Sequence, residues 1–189
     1  QTGTRAIWQG DPPAALAGAA RVLEAVYEFP YLAHTPMEPL DCVVRLGAGE
    51  CDIWVGSQSQ TLDQMAVAAA LGLPPAKVRL HTMLAGGSFG RRSTPRSAEL
   101  VEAASIARAL GGTRPIKVVW TREDDVQGGF YRPLYVHRLR AGLDSGGNVV
   151  AWEHRIVGQS IVTGTPLAAL RVRDGIEALT VLDANQDVD

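Results

Sequence analysis

Residues 51–84, CDIWVGSQSQTLDQMAVAAALGLPPAKVRLHTML, carry the pattern on which the fold turns. Asp52-Ile53-Trp54-Val55 has the composition of a strand. Thr61 followed by Gln64 matches the capping-box spacing and predicts a helix through Met65, Ala69 and Leu71. Gly72 and Pro74 stop that helix, because glycine accepts the left-handed conformation that closes a helix and proline cannot extend one. Residues 77–84 predict a second strand with Val78, Leu80 and Leu84 on one face. Strand, helix and strand from Ile53 to Leu84 make a βαβ unit.

Working upstream, residues 42–46 and 52–55 flank the turn Gly47-Ala48-Gly49-Glu50 and predict a hairpin. The Gly-Ala-Gly triplet lacks the third glycine and the following helix of a dinucleotide fingerprint. Further back, DPPAALAGAARVLEAVYEF (11–29) predicts a helix in which Leu16, Ala19, Ala20, Leu23 and Val26 recur at helical spacing. Pro12 and Pro13 suit its first turn, and residues 27–30 read as a short strand.

Downstream, GGSFGRR (86–92) follows the second strand directly. A helix over 97–110, closed by Gly111-Gly112, and a strand over 116–120 come next. Strands over 135–143 and 149–157 are joined by the glycine-rich Asp144-Ser145-Gly146-Gly147-Asn148. Beyond Gly158 the pattern decays, and the tail 182–189 carries no ending signal, so the chain is expected to be a central fragment of a larger protein. The fold class expected is α+β, with βαβ units plus antiparallel hairpins. It is divided into a helical lead-in (1–30), the βαβ region with the glycine loop (31–125), and a hairpin region with a truncated tail (126–189), packed as one compact unit.

Composition narrows the function. With 46% hydrophobic and 20% charged residues among 189, the chain is ordinary for a globular domain, and a chain of that size buries roughly 70% of its unfolded surface. Eighteen Lys and Arg against twenty Asp and Glu give a net charge of -2, which offers no basic field for nucleic acid. Cys42 and Cys51 suit neither a zinc knot nor a CxxC pair and read as small buried side chains. No run reaches the ~20 apolar residues of a membrane span, so the chain is expected to be soluble. The compartment, periplasm or cytoplasm, stays undecided.

The glycine loop is the most informative chemical feature. Glycines between a strand and a helix let backbone N–H groups approach an anion, and Arg91 and Arg92 add charge there. The alternative is a tight turn bearing two solvated arginines. It is not a Walker loop, because the GxxxxGK[ST] spacing is missing. Phe89, a large ring between glycines, either anchors in the core or meets a planar ligand. Gln58 follows the 52–55 strand, at the carboxyl end where open α/β sheets bind ligands, although on position alone a turn or cap role is favoured. His34 lies in the motif-like run 33–39, whereas His81, His137 and His154 stand singly on strands. No zinc-ligand spacing occurs. Glu123-Asp124-Asp125 reads as a solvated turn without chemistry.

Four stretches in this order resemble the large subunit of molybdenum hydroxylases. They are YLAHTPMEPLDC (31–42), CDIWVGSQSQTLDQ (51–64) with the helix and LGLPPAKVRLH (71–81), AGGSFGRR (85–92), and TREDD (121–125) leading to RPLYVHRLRAGLDSGGNVVAWEHRIVGQS (132–160). GGSFGRR with HTPMEP looks like the isoquinoline 1-oxidoreductase and membrane-bound aldehyde dehydrogenase branch of the xanthine oxidase family. The resemblance implies a fragment of the molybdenum-cofactor-binding region.

In that family a pterin dithiolene holds molybdenum, usually as the molybdopterin cytosine dinucleotide in bacteria, and no protein side chain ligates the metal. Gln58 matches the glutamine that hydrogen-bonds an oxygen ligand of molybdenum. Gly86, Gly87, Ser88, Phe89, Gly90 and Arg91 match the cofactor loop, with Phe89 beside metal and substrate and its N–H on that same oxygen. The family hydroxylates an electron-poor carbon of an aldehyde or N-heterocycle with water-derived oxygen, and electrons leave through [2Fe-2S] clusters, commonly on a small partner subunit. The base glutamate lies far downstream in relatives and is absent here, so no catalytic residue is expected in this chain. Ser93 holds no acid where some purine-oxidising relatives carry a glutamate, which disfavours purines. The implied partners are the small [2Fe-2S] subunit and the rest of the large subunit. Two other readings stay open: a non-catalytic packing and assembly module, and a stand-alone binder of phosphate ligands.

Overall fold

The computed structural model describes residues 3–163, 168, 172–173 and 176–177. Internal contacts divide the chain into two compact units, Leu32–Tyr131 and the flanking Gln1–Tyr31 with Arg132–Asp189. The expected segment limits had been 30/31 and 125/126.

The Leu32–Tyr131 unit holds a four-stranded sheet. Its strands β2 (Asp41–Leu46), β3 (Cys51–Val55), β4 (Val78–Thr82) and β5 (Ile116–Val119) lie in the order β4-β3-β2-β5. β2 and β3 form the expected antiparallel hairpin, and β4 pairs parallel to β3 after α2 (Gln60–Leu71), which is the βαβ unit read from the sequence. α2 and α3 (Ala98–Ala109) cover one face. Val44, Ile53, Val67 and Leu100 meet there at no more than 1% exposure. Strand alternation sends Cys51, Ile53 and Val55 into this layer and Asp52 and Trp54 to the opposite face. Cys42 and Cys51 are buried, and burial pushes the Cys42 thiol up to about 12 and the Cys51 thiol up to about 11.

The flanking unit contains α1 (Pro12–Gly18) and an antiparallel sheet in the order β1-β6-β7, from β1 (Arg21–Phe29), β6 (Tyr135–Leu143) and β7 (Val149–Gly158). Leu16 of α1 packs over Gly142, where an added Cβ would stand 3.1 Å from that of Ala19 and 3.2 Å from that of Ala151. At the 144–148 turn the Asp144 carboxylate accepts from the Gly146 and Asn148 amides at 2.8 and 2.9 Å. Two short strands, β8 (Val172–Arg173) and β9 (Ile176–Glu177), pair with each other. The tail 182–189 lies outside the described residues.

Several expectations need correction. The helix expected over 11–29 ends at Gly18, and Leu23 and Val26 lie on β1, whose nine residues all pair with β6. Ala19 turns the backbone to an extended conformation, and the ladder outweighs the weak helix preference of Val, Tyr and Phe in this stretch. Thr61 is not a cap. α2 starts at Gln60 with Ser59 at its N-cap position, and the Gln64 amide donates to the Val78 carbonyl at 2.8 Å instead of reaching back. Gly72 does close α2 in the left-handed conformation. β4 stops at Thr82, leaving Leu84 99% exposed rather than on the inner face.

On the outer face of the four-stranded sheet, the buried Asp52 carboxylate accepts from Arg79 at 2.7 and 2.8 Å, from Arg45 at 2.8 Å and lies 3.0 Å from His81 Nε2. The Arg79 guanidinium first, then His81 and Arg45, hold this carboxyl far below the ordinary carboxylate range. A depressed folded value means the stabilisation is present above the unfolded carboxyl value, about 4, and is lost as pH falls toward the folded one. Asp52→Asn is therefore expected to lower the unfolding midpoint at pH 7. The gap to wild type should narrow as pH drops below about 4, followed by thermal unfolding across a pH series.

Candidate functional site

The loop after β4 is built around glycines that no other residue could replace. Gly86 donates its N–H to Glu38 Oε2 at 2.6 Å and accepts from the Glu38 N–H at 3.1 Å. A Cβ on Gly86 would stand 2.6 Å from the Glu38 Cβ, so a side chain would push the two segments apart. Gly87 and Gly90 have φ of 98° and 96°, in the left-handed region that favours glycine. Phe89 shares that region at φ 57°.

Inside the loop, the Arg91 N–H donates to the Ser88 carbonyl at 2.9 Å and the Ser93 N–H to the Gly90 carbonyl at 3.1 Å. The Gly87, Ser88, Phe89 and Gly90 amides make no hydrogen bond with another described residue. Successive main-chain N–H groups in a turn can bind an anion, although Phe89 and Gly90 share positive φ rather than alternating. Phe89 is 76% exposed, with its Cε2 against Gly87, so the core-anchoring alternative is overturned.

Gln58 stands beside this loop. Its N–H donates to the Arg92 carbonyl at 3.3 Å, and its Oε1 accepts from the Ser88 hydroxyl. Ser57 fixes the preceding turn by accepting from the Ser59 N–H at 3.1 Å and donating to the buried Asp63 at 2.5 Å. Asp63 also accepts from Ser97 at 2.5 Å, which joins the start of α2 to the start of α3. Ser93 lies against Ser59, hydroxyl to hydroxyl.

The two arginines behave differently from expectation: both are buried and turned inward, at 3% exposure each. Arg92 donates to the carbonyls of Gly87, Gly56 and Glu38 at 3.2, 3.5 and 3.3 Å and to the Glu38 carboxylate at 2.9 Å. Arg91 pairs with Asp125 at 3.0 Å, lies 5.2 Å from the Trp120 ring centre and has no hydrogen-bond partner for its Nη2 among the described residues. Neither charge is free to meet a ligand directly.

The acidic run is corrected with them. Thr121 and Asp124 form a true capping box at the start of α4 (Arg122–Gln127). Asp125 is buried and accepts from Arg91 and from Arg122, the latter at 2.9 Å. Arg122 in turn donates to the carbonyls of Pro36 and Met37. Glu38, Asp125 and Arg122 are the residues that sequence reasoning missed, although Glu38 sits within HTPMEP and Arg122 and Asp125 within TREDD, both quoted for the resemblance.

Among the other candidates, His34 Nδ1 lies 3.1 Å from the Phe130 carbonyl oxygen, and its ring approaches Gly90. His81 stacks on Trp54 with ring centres 4.8 Å apart. In the flanking unit, Tyr27, Phe29, Arg132, Tyr135, His137 and His154 line an open concavity of about 320 Å³. Burial and the neighbouring His137, whose Nδ1 is 2.9 Å from His154 Nε2, hold the His154 imidazole below its ordinary value. Among the described residues no three His, Cys, Asp or Glu side chains gather as metal ligands, and no helix is long and apolar enough to cross a membrane.

Comparison with known proteins shows the family. The family described as molybdopterin cofactor-binding domain matches residues 1–169. The chain is 39% identical over 127 residues to isoquinoline 1-oxidoreductase subunit beta of Brevundimonas diminuta, covering 66% of this chain and 16% of that protein. It is 32% identical over 141 residues to the membrane-bound aldehyde dehydrogenase of Gluconacetobacter polyoxogenes, covering 75% of this chain and 18% of that one. The chain thus spans less than a fifth of either relative. Among solved structures, aldehyde oxidoreductase from Desulfovibrio gigas aligns over 79% of this chain and 16% of its own, with a TM-score of 0.64 and 23% identity. Quinoline 2-oxidoreductase from Pseudomonas putida 86 aligns over 77% of this chain and 18% of its own, also at 0.64, with 21% identity. At these identities the structural likeness bears on the fold alone, and it agrees with the mixed α+β class.

The buried ion pair gives a direct test. Asp125→Ala strands the Arg91 charge in the interior, and losing one partner of such a pair costs about 3–5 kcal/mol. Glu123→Ala, two residues away and exposed, is expected to change stability by less than about 0.5 kcal/mol. Denaturant unfolding of the two variants side by side checks the contrast.

Proposed function

Because the chain belongs to the molybdopterin cofactor-binding domain family, we propose that its 86–90 loop holds a molybdenum-pterin cofactor within the large subunit of a molybdenum hydroxylase. The observation that carries this reading is the run of four amides from Gly87 to Gly90 that have no partner among the described residues, in a loop that touches Gln58 and carries the exposed Phe89 ring. The donor set suits that group: neutral N–H groups for phosphate and pterin oxygens and an aromatic face for a planar partner.

When bound, the cofactor supplies a molybdenum centre that hydroxylates an electron-poor carbon with water-derived oxygen. Gln58 would offer its Nε2–H, and Phe89 its main-chain N–H, as hydrogen-bond donors to the bound group. The exposed Phe89 ring would help exclude water there and give a flat substrate an aromatic face. Gly86, Gly87, Ser88 and Gly90 act through their main chain, and Arg91 acts from behind by fixing the loop through Asp125. The substrate class is aldehydes or N-heterocycles, in keeping with the relatives' names and with a serine rather than an acid at position 93. The cofactor is the cytosine dinucleotide form, the base glutamate comes from another segment of the large subunit, and electrons pass to [2Fe-2S] clusters on a small partner subunit.

A second reading, a packing and assembly module, draws on the β1-β6-β7 sheet, where Leu23, Tyr27 and Trp152 are 43%, 50% and 54% exposed. Variants of the parent enzyme separate the two. Gln58→Ala is expected to lower turnover on the order of 10–100-fold, with molybdenum content and subunit assembly unchanged; lost assembly with normal specific activity of what remains favours the second reading. The isolated chain is expected to retain no molybdenum by elemental analysis and to show no dye-linked aldehyde oxidation.

A further inference from the structure

Three hydrogen bonds close a ring around Gln58. Its N–H donates to the Arg92 carbonyl at 3.3 Å, the Arg92 N–H donates to Ser88 Oγ at 3.2 Å, and the Ser88 hydroxyl donates to Gln58 Oε1. A serine hydroxyl carries a single hydrogen. The Arg92 N–H takes one of the two lone pairs of that oxygen, and in the structure the hydrogen is given to Gln58 Oε1. The carboxamide offers one acceptor, its oxygen, while its nitrogen only donates. The ring therefore seats Oε1 on Ser88 and leaves both Nε2 hydrogens on the other side. An exposed carboxamide without such a partner turns readily, because its terminal torsion is broad and nearly two-fold.

We infer that Ser88 is a positioning residue whose hydroxyl sets which end of Gln58 faces the open side of the loop, so that a donor rather than an acceptor meets an oxygen ligand of the cofactor. This rests on the reading of Gln58 given above. The role belongs to Oγ alone: the Ser88 amide is one of the four unpartnered N–H groups, and truncating the side chain leaves that amide in place. Arg92 serves the same ring with both main-chain groups, while its guanidinium holds the loop from behind.

The test uses the holoenzyme with its full-length large subunit. Ser88→Ala is expected to lower kcat on the order of tenfold, with KM and molybdenum content unchanged, and to alter the Mo(V) electron paramagnetic resonance spectrum as both carboxamide orientations become populated. Ser88→Thr keeps the hydroxyl and is expected to recover the wild-type spectrum and most of kcat. Unaltered kcat and spectrum in Ser88→Ala overturn the assignment, as does equal impairment of the alanine and threonine variants. Loss of molybdenum from Ser88→Ala also overturns it, because the hydroxyl would then retain the cofactor rather than orient Gln58. Gln58→Ala checks the underlying reading separately: a spectrum and kcat untouched by that change sink the role of Gln58 whichever way Ser88 behaves.

Discussion

Arg92 reaches the carbonyls of Gly56, Gly87 and Glu38 and the Glu38 carboxylate with a side chain only 2% exposed. Burying a guanidinium is costly unless carboxylates and carbonyls answer its charge and most of its donors, since desolvating it unpaired costs several kcal/mol. Meeting that demand fixes three segments together: the 34–39 run, the end of β3 and the glycine loop. Glu38 answers from the other side, holding Gly86 by both main-chain groups. The outward face of the loop follows from this inward anchoring. Gly86, Arg91, Arg92 and Ser93 each donate to a protein acceptor, while the amides from Gly87 to Gly90 have none among the described residues.

The neighbouring arginine repeats the logic in another direction. Arg91 turns to Asp125, which also takes Arg122, and Arg122 returns to the carbonyls of Pro36 and Met37. The 34–39 run is thus held by both arginines, from α4 and from the loop itself. One consequence concerns electrostatics. With Arg92 paired to Glu38 and Arg91 sharing Asp125 with Arg122, both loop guanidinium groups are turned inward, and an anion at the loop would meet main-chain dipoles first. Such donors are fixed in direction, so they select for the shape of a ligand's oxygens more than for its total charge.

How much of this was legible in the sequence depended on the range of the interactions. The β2-β3 hairpin and the β3-α2-β4 unit were readable because their signals are local: short apolar runs, a Gly-Pro stop, a turn with glycine. β1 was not, because Ala-rich flanks imitate a helix and only pairing with β6, more than a hundred residues away, makes it a strand. The place of Gln58 and of the 86–90 loop came through the resemblance, whereas composition alone stopped at an anion-friendly turn. The arginine directions were invisible. Adjacent residues after an irregular loop point wherever their partners are, and those partners, Glu38 and Asp125, lie 54 and 34 residues off. Asp125 read as part of a solvated turn because three consecutive acids diverge in direction, and only Glu123 and Asp124 are in fact exposed.

Phe89 joins these threads. A phenylalanine held at φ 57° gives up about 1–2 kcal/mol of backbone comfort, and a ring left 76% exposed forgoes most of the 1.5–3 kcal/mol that burial brings to a large apolar side chain. Neither sacrifice helps the fold, since a glycine would satisfy the backbone and a polar residue would satisfy the solvent. The surroundings nevertheless enforce both, with Gly87 and Gly90 flanking the residue and Arg92 fixing the Gly87 carbonyl behind it. Strain of this kind persists where the rest of the structure over-determines it, and it gathers at functional positions. A planar ligand covering the ring offsets the lost burial, and the same twist that strains Phe89 leaves its amide unpartnered within the loop. Backbone strain, aromatic exposure and free amides therefore have one common explanation in the proposed cofactor.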